Sequence, residues 1–524
     1  MRISFSAVVP AALFSVFLFS AMQSEPGKDP VRIKYAKTVT ADDLKKHLDV
    51  LASDAYEGRE TGKKGQKMAA EYIRNCFRNI GIPELPSGGY YQDVPLEEFI
   101  PGNGTVTAGN KTFSFNKDFF NVSGIDDQDL KAEELVFAGY GISANNWNDY
   151  KKLNVRGKFV MILANEPVDA SGKSHITGKT EKSDWSTQRR LKINTARELG
   201  AKAIFIVVPD FEKQKSEMHH AMNASTLKLK GDKSQPRMPV IYISPEMANE
   251  LAGNRKKTIQ QIQQRINAKK KTTSFTVKNQ FSLTIKRERR QIVTENVLGF
   301  IEGSDLKNEI IVITAHYDHI GMEGDIVFNG ADDDGSGTVA VIELAEAFMK
   351  AKKEGNGPRR SILFMTVSGE ERGLLGSEWY SENPVFPLKQ TICNLNIDMI
   401  GRVDPDHEKD SAAYVYVIGS DKLSSQLRAV SEASNTTYCG INLDYRYDAP
   451  NDPNLFYYRS DHYNFARKNI PVIFYFNGTH ADYHKETDEV SKIIFPLMER
   501  RARLVFFTAW EIANRDARIV VDKK

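Results

Sequence analysis

Acidic and histidine side chains cluster at the ends of predicted strands in the second half of the chain. The first cluster contains His316 and Asp318, directly after the apolar run 310–314. In an extended segment, residues two apart face the same side, so Asp318 could accept a hydrogen bond from one ring nitrogen of His316. The other ring nitrogen would then be free to bind a metal ion. Taken alone, the pair is better explained as a structural His–Asp contact.

The second cluster is a run of three aspartates, Asp332, Asp333 and Asp334, before a Gly-Ser-Gly turn and a predicted helix over 336–351. One aspartate would suffice to cap the amino end of that helix, where free N–H groups favour a negative charge. Three adjacent carboxylates repel one another unless a cation offsets their charge. The run therefore favours a metal site over a helix cap.

The third and fourth clusters also carry carboxylates. Glu370 and Glu371 follow the predicted strand 361–367. Beside a divalent ion, one glutamate could ligate the metal while its neighbour takes a proton from bound water. Asp398 lies in the apolar stretch 395–400, where a partly buried carboxylate needs a partner.

The last cluster follows the predicted strand 471–476 and contains His480, His484 and Asp488. Histidine and carboxylate ligands without a thiolate suit zinc, with cobalt or manganese as alternatives. Together the five clusters supply more ligands than one tetrahedral catalytic zinc needs. Two ions that share a bridging carboxylate would use them all.

The elements that must position these side chains alternate between strand and helix from residue 295 onward. That alternation predicts an α/β layered domain, and open α/β sheets bind their ligands at the carboxyl ends of the strands. Apolar residues also recur at helical spacing over 40–82. The segment 101–290 instead has short β-like runs between Gly, Asn and Ser turns, with one helix predicted over 189–199.

Composition supports an ordinary globular protein with more than one domain. The chain has 524 residues, of which 41% are hydrophobic and 27% charged, which excludes a disordered, collagenous or multi-span membrane protein. Residues 101–290 carry 33 Lys and Arg against 19 Asp and Glu, whereas the remainder is acidic by 11 charges. Two compositionally different domains explain this split, and the overall charge of +3 gives no polycationic field for nucleic acid.

The amino terminus predicts export. Residues 1–24 contain Arg2, then an apolar run, then small residues, which is typical of a cleavable signal peptide. A permanent anchor is the alternative, but Pro10 and several serines disfavour a spanning helix. No later stretch is long and apolar enough to span a bilayer. We therefore expect a periplasmic or secreted protein with no membrane contact after cleavage.

The five clusters in this order, with the lead-in LASDAYEGRETGKKGQKMAAEYI, resemble the M28 family of co-catalytic zinc peptidases. The resemblance covers most of residues 290–500. It implies a mixed β-sheet flanked by helices, of the zinc-peptidase/phosphorylase-hydrolase type, and two zinc ions per chain. It also implies that His316 and Asp398 hold one zinc and that Glu371 and His484 hold the other.

The family's bridging aspartate stands in an Asp-x-x-Ser-Gly pattern, which here gives Asp333 the bridging position and leaves Asp332 as its competitor. Similar proteins have a cis peptide after this aspartate, here between Asp333 and Asp334. The resemblance further makes Glu370 the general base and Tyr483 a donor to the oxyanion.

The same resemblance assigns supporting roles to other residues near the clusters. Asp318 and Asp488 match the positions that orient the two metal-binding histidines. Three further histidines are expected to be structural: His319, His462 and His480.

The middle segment resembles a protease-associated (PA) domain, through the runs ELVFAGYGISANNWNDYKKLNVRGKFVMILANEP and NTARELGAKAIFIV. The predicted layout is a discontinuous peptidase domain over 37–105 and 290–515, interrupted by a mainly β PA domain over 106–289. Basic runs at 268–271 and 286–290 fit a solvated surface, because no aromatic stacking pattern accompanies them.

The predicted function is an exported dinuclear-zinc aminopeptidase that removes amino-terminal residues from peptides. Three alternatives stay open: a zinc-dependent glutaminyl cyclase, which is an acyltransferase with one metal, a carboxypeptidase of the same family, and a non-enzymatic binding homologue. Nothing in the sequence indicates an oligomeric state.

Overall fold

The computed structural model describes residues 27–122, 126–234, 236–253, 255–408 and 413–523. The predicted export signal over 1–24 lies outside these residues. Across the described ranges, no helix combines the length and the apolar character needed to cross a bilayer.

Strands and helices are labelled in chain order. The strands are β1 (Tyr91–Ile100), β2 (Gly104–Ala108), β3 (Lys111–Ser114), β4 (Phe119–Phe120), β5 (Gln128–Ala138), β6 (Ser143–Ala144), β7 (Trp147–Asn148), β8 (Phe159–Leu163), β9 (Ala203–Val207), β10 (Thr226–Leu229), β11 (Val240–Ile243), β12 (Ser274–Ile285), β13 (Glu288–Ile301), β14 (Leu306–His316), β15 (Gly321–Glu323), β16 (Ile326–Phe328), β17 (Arg360–Val367), β18 (Thr391–Ile397), β19 (Tyr414–Ile418), β20 (Asn442–Asp444) and β21 (Val472–Phe476).

The α-helices are α1 (Pro30–Ala36), α2 (Ala41–Leu51), α3 (Lys64–Asn79), α4 (Asp184–Thr187), α5 (Arg189–Glu198), α6 (Phe211–Glu217), α7 (His219–Asn223), α8 (Pro245–Leu251), α9 (Ile259–Lys269), α10 (Gly337–Lys353), α11 (Leu375–Glu382), α12 (Ser425–Ser434), α13 (His462–Ala466) and α14 (Phe495–Asn514). Single-turn helices join them at Asp54–Arg59, Ala331–Ser336, Leu388–Gln390, Asn435–Cys439, Arg446–Asp448, Phe456–Tyr458 and Val490–Lys492. The predicted helical lead-in and the strand–helix alternation after residue 295 are both present.

Two compact units divide the chain. The first comprises Met1–Gln92 and Glu295–Lys524, and the second comprises Asp93–Thr294. The sequence prediction placed the first junction at 105/106, which is later than the observed 92/93, and the second at 289/290, which is earlier than the observed 294/295. Residues 93–100 belong with the second unit because this part of β1 pairs antiparallel with β10, for example Leu96 opposite Leu229. The identification of the second unit as a PA domain stays a prediction.

The first unit is built on a mixed sheet in which neighbouring strands run β13-β17-β14-β18-β21-β19-β20. The central strands β17, β14, β18 and β21 are parallel, whereas β13 and β19 run antiparallel to their inner neighbours. Strands β17, β18 and β21 are buried along their whole length. Continuous apolar burial is expected where both faces of a parallel sheet are covered. The predicted mixed α/β fold is confirmed.

Helices α10 and α14 are the main cover of this sheet. Most residues of the first four turns of α10 are buried, which agrees with the predominantly apolar sequence of this part of the helix. Its Phe348 ring packs against Phe364 of β17 and against Phe506 and Trp510 of α14. The packing fixes α10, and with it the aspartate run at its amino end.

The second unit contains its own sheet, with strand order β3-β2-β12-β5-β8-β9-β11-β4. Alternate residues of its strands point to opposite faces, as the pleat requires. Leu135 and Phe137 of β5 join one apolar cluster, while Val136 and Ala138 join another. The unit therefore has a core on each face of its sheet.

Candidate metal centre

Four neighbouring parallel strands of the first unit end at the same edge of the sheet. β14 ends at His316, Glu370 and Glu371 follow β17, and Asp398 comes directly after β18. The loop after β21 carries His484. The strand ends thus bring together residues that are far apart in the sequence, at the place where α/β sheets hold their ligands.

Asp333 lies between the two predicted metal-binding histidines. Its Oδ1 atom is 3.2 Å from His316 Nε2, and its Oδ2 atom is 3.1 Å from His484 Nε2. The side chain is only 4% exposed. Because each oxygen faces a different histidine, this carboxylate has the geometry of a bridge between two cations.

A second carboxylate lies beside each histidine. His316 Nε2 is 3.7 Å from Asp398 Oδ1, and His484 Nε2 is 3.2 Å from Glu371 Oε2. With Asp333 shared, each side offers one imidazole and two carboxylates. Three protein ligands per ion leave a position open for water, as catalytic zinc sites require.

Several polar atoms here are buried in an arrangement that hydrogen bonds do not explain. Asp333 Oδ2 and Glu371 Oε1 lack a hydrogen-bond partner of acceptable geometry, and so do both ring nitrogens of His319. Yet His319 Nδ1 lies 2.9 Å from Glu371 Oε1. Buried polar groups rarely stay unpaired, and cations would satisfy these converging lone pairs. The donor set therefore fits metal ions.

Asp334 and His319 also lie within ligand distance of these groups, in the sets His316, Asp334, Asp398 and His319, Asp333, Glu371. Asp334 is nevertheless engaged elsewhere, since its oxygens accept backbone N–H bonds from His316, Gly337 and Met399. We assign Asp334 to holding the strand ends together rather than to a metal.

His319, which was expected to be structural, lies among the donor groups on the Glu371 side. It is fully buried, its ring is edge-on to His484 with centroids 5.9 Å apart, and it faces Glu371. The sequence signal was present, because His319 follows Asp318 in the first cluster. The sequence analysis nevertheless gave the metal-binding role to His316, because the family pattern matches that position.

The turn before α10 requires a glycine. Gly330 has φ +52°, and a Cβ there would lie 2.3 Å from Asp333 O and 2.5 Å from the His319 ring. A side chain would therefore displace both residues. The peptide between Asp333 and Asp334 is cis, as the family resemblance implied.

Asp318 supports the site through two of its groups. Its carbonyl oxygen lies 3.0 Å from His316 Nδ1, which leaves Nε2 facing the metal position. Its carboxylate accepts hydrogen bonds from the Glu370 N–H at 3.2 Å and from Thr61 Oγ1 at 2.7 Å. Asp318 thus positions the predicted base as well as the histidine.

Asp488 contacts the aspartate turn. Its carboxylate accepts the backbone N–H bonds of Asp332 and Asp333, and no described hydrogen bond joins it to His484. Asp332, the competitor for the bridging role, points elsewhere: Oδ1 accepts the Gly401 N–H at 2.6 Å and Oδ2 lies 3.1 Å from His480 Nε2.

The adjacent glutamates have opposite electrostatic environments. Burial, with the negative charge of Glu371 close by, holds the pKa of Glu370 well above its usual range. Burial and Asp333 would also raise the pKa of Glu371, but contacts with His319 and His484 lower it to about 2. When the pKa values of two neighbouring acids differ in this way, one acid typically carries the proton and the other stays ionised.

An aromatic pocket adjoins the cluster. It is lined by apolar side chains and by polar ones at its rim, namely Met399, Phe456, Phe474, Phe476, Arg459 and Tyr483. The Tyr483 ring stacks on His484 with centroids 3.9 Å apart, and its hydroxyl accepts a 3.3 Å hydrogen bond from Arg459.

Arg59 is a buried support that the sequence did not single out. Its guanidinium donates to the carbonyls of Leu51, Tyr317, Asn329 and Gly330 at 2.7–2.9 Å. These bonds tie the lead-in turn to the end of β14 and to the aspartate turn. A single arginine in a Gly-containing turn carries no pattern from which such partners can be predicted.

Comparison with known proteins agrees with this architecture. Residues 296–509, which contain every predicted ligand, match the profile of peptidase family M28. The chain is 30% identical to "Aminopeptidase YwaD" of Bacillus subtilis over 173 residues, which cover 33% of this chain and 34% of that protein. It is 35% identical to "Probable glutamate carboxypeptidase LAMP1" of Arabidopsis thaliana over 105 residues, covering 20% and 14%. The chain thus spans about a third or less of the length of these two relatives.

Among solved structures, the fold resembles "Aminopeptidase from Aneurinibacillus sp. strain AM-1" with a TM-score of 0.54. The two chains are 20% identical, and the superposition covers 94% of this chain and 98% of the other. At this identity the likeness establishes the fold.

The fold and the paired donor groups are compatible with a two-metal site. More specifically, residues 296–509 match the model of peptidase family M28, which confirms the predicted family resemblance for this part of the chain.

Proposed function

We propose that this protein is an exported dinuclear-zinc aminopeptidase. The observation that carries the proposal is the position of Asp333, whose two oxygens face His316 and His484 separately. One zinc would be held by His316, Asp333 and Asp398. The other would be held by Asp333, Glu371 and His484.

When bound, the paired ions would lower the pKa of a water molecule and polarise the scissile carbonyl. Glu370, buried beside His316 with its Oε2 atom 3.9 Å from Nε2, takes the proton of the attacking water. It then returns this proton to the leaving amine. The hydroxyl of Tyr483 donates a hydrogen bond to the substrate oxygen as negative charge develops there.

The aromatic pocket gives the substrate class. Phe456, Phe474 and Phe476 with Met399 form an apolar wall beside Asp398 and Glu370. These apolar side chains would contact the first side chain of a bound peptide, so we expect a preference for an apolar first residue.

A carboxypeptidase is the second candidate, and Arg459 favours it. This exposed guanidinium lies at the pocket rim, where it could pair with a terminal carboxylate. Two curated relatives are also named as probable glutamate carboxypeptidases. The aminopeptidase is preferred because the relative matched over 173 residues is named as an aminopeptidase.

The deciding experiment combines metal analysis with matched peptides. Purified enzyme should contain two zinc ions per chain and release the first residue of Leu- or Phe-initiated peptides. The same peptides with an acetylated amino terminus should resist cleavage, and a chelator should abolish turnover. Release of the last residue from acetylated peptides would establish the carboxypeptidase. One metal per chain with cyclisation of Gln-initiated peptides would establish the glutaminyl cyclase, and metal without any turnover would indicate a binding homologue.

Export and the role of the second unit complete the proposal. We infer cleavage of the signal over 1–24, which the mature amino terminus of the secreted or periplasmic protein would report. The second unit would act as a PA domain. No nucleic acid partner is proposed, because the basic runs of this unit lack interleaved aromatic residues.

A further inference from the structure

A cysteine, a histidine and a glutamate from three different helices meet in the first unit, apart from the metal centre. Cys76 lies on α3, His47 on α2 and Glu343 on α10. Cys76 Sγ is 3.9 Å from His47 Nδ1, and His47 Nε2 is 3.4 Å from Glu343 Oε1. The order of thiol, imidazole and carboxylate is that of an activated nucleophile with a base and an orienting group.

Glu343 makes this more than a chance contact of a surface thiol. Its side chain is 3% exposed, and Oε1 has no hydrogen bond of acceptable geometry. A buried carboxylate is costly unless a cation or donor offsets it, and the Nε2 atom of His47 is the group it faces. The carboxylate therefore favours the protonated imidazole, whose Nδ1 atom lies 2.8 Å from the Tyr72 hydroxyl and 3.9 Å from the sulfur.

Burial raises the pKa of Glu343, and its contact with His47 opposes that shift. Burial alone would lower the pKa of His47, but its contacts with Cys76 and Glu343 raise it to about 9. Tyr72 also approaches, with its hydroxyl 2.8 Å from Nδ1. The other charged or titratable groups near the cluster include Asp43, Lys46, Tyr56, Glu71 and Glu346.

Exposure separates Cys76 from the other thiols of the chain. Cys76 is half-buried, so a small reagent can reach it, whereas Cys393 is fully buried. Cys439 is also half-buried, but burial raises its pKa to about 12 and no histidine lies beside it among its described contacts. Cys439 is therefore a matched internal control.

We propose that Cys76 is a covalent modification site, a nucleophilic thiolate paired with His47 and oriented by Glu343, that reacts with hydroperoxides. The thiol proton passes to the imidazole, and the sulfur attacks one peroxide oxygen. The S–O bond forms as the O–O bond breaks, so the cysteine is oxidised to a sulfenic acid and the peroxide is reduced. The departing hydroxide or alkoxide takes the proton from the imidazolium. The site does not depend on the proposed peptidase activity.

The test measures thiol reactivity in the full-length, metal-loaded protein. Limiting iodoacetamide at about pH 6 should label Cys76 about tenfold faster than Cys439, as quantified by mass spectrometry of the digested protein. Hydrogen peroxide followed by a sulfenic-acid trap should label Cys76 alone. His47→Gln should lower both rates at Cys76 about tenfold while leaving the rate at Cys439 unchanged.

A second measurement keeps the proposal falsifiable should the variant fold poorly. In the unmodified protein, Cys76 should be labelled faster than Cys439 at about pH 6. Glu343→Gln should lower the labelling rate of Cys76 and leave the rate of Cys439 unchanged. Equal labelling of Cys76 and Cys439, or an unchanged rate at Cys76 in a folded His47→Gln or Glu343→Gln protein, would overturn the proposal.

Discussion

The carboxylate of Asp318 accepts a 3.2 Å hydrogen bond from the backbone N–H of Glu370. This bond joins the end of β14 to the loop after β17, so the segment that supplies the proposed ligand His316 also positions the proposed base. A carboxylate that serves as a base must be held within hydrogen-bond distance of the attacking water. In the proposed mechanism, Asp318 would therefore link the placement of a metal ligand to proton transfer.

Substitutions at the two adjacent glutamates should affect proton transfer and metal binding separately. Glu370→Gln removes the proton acceptor but no proposed ligand, so kcat should fall about 10²- to 10⁴-fold while two metals remain bound. Glu371→Gln should instead lose metal from the His484 side. Metal content by elemental analysis and kcat with a Leu-initiated peptide check both variants. Full turnover in Glu370→Gln would remove Glu370 from the mechanism.

Asp333 and Asp332 provide a test of the bridging assignment. Asp333→Asn removes the charge shared by the two histidine sides, so metal content should fall to about one ion per chain or less. Asp332→Asn should retain both ions, because an amide oxygen can still accept the Gly401 N–H. Isothermal titration with zinc would compare the two. The reverse order of metal loss would transfer the bridge to Asp332.

The positions of the candidate metal ligands at strand ends were predictable, because acidic residues interrupt otherwise apolar runs there. Asp398 after β18 and the glutamates after β17 stand where continuous burial stops, and a parallel sheet brings such ends to one edge. The same logic explains why the alternation after residue 295 predicted the fold. Local pattern and overall topology agree in this part of the chain.

Long-range partners could not be predicted in this way. Arg59 donates hydrogen bonds to four backbone carbonyl groups. Because every residue has a backbone carbonyl, the sequence does not indicate which ones an arginine will contact. The family resemblance matched Asp488 to a position that orients a histidine, and the structure shows its carboxylate accepting the backbone N–H bonds of Asp332 and Asp333. The junction near Gln92 was also hidden, because β1 runs through the boundary without a break.

Tyr483 should matter for turnover rather than for substrate binding. Its hydroxyl would stabilise charge that develops only in the transition state, so Tyr483→Phe should lower kcat about 10²-fold with little change in KM. Arg459→Gln is the matched control, since it removes the hydrogen bond to Tyr483 but retains the phenol. An effect confined to KM in Tyr483→Phe would assign the tyrosine to ground-state binding instead.

His462 should make the first unit sensitive to acid. Its ring is fully buried against Phe474, with centroids 4.7 Å apart, and burial lowers the pKa of His462 to about 3 from 6.5. Because the folded state holds the neutral form, this contribution to stability is complete above about pH 6.5 and is lost as the pH falls toward 3. The loss approaches about 1.4 kcal/mol per pH unit within that window. Between pH 6.5 and 5, the free energy of unfolding of His462→Phe should therefore fall by about 2 kcal/mol less than that of the unsubstituted protein, as measured by urea titration. Replacing the exposed His219 by Gln should not change the slope, and an unchanged slope in His462→Phe would show that other groups carry the acid sensitivity.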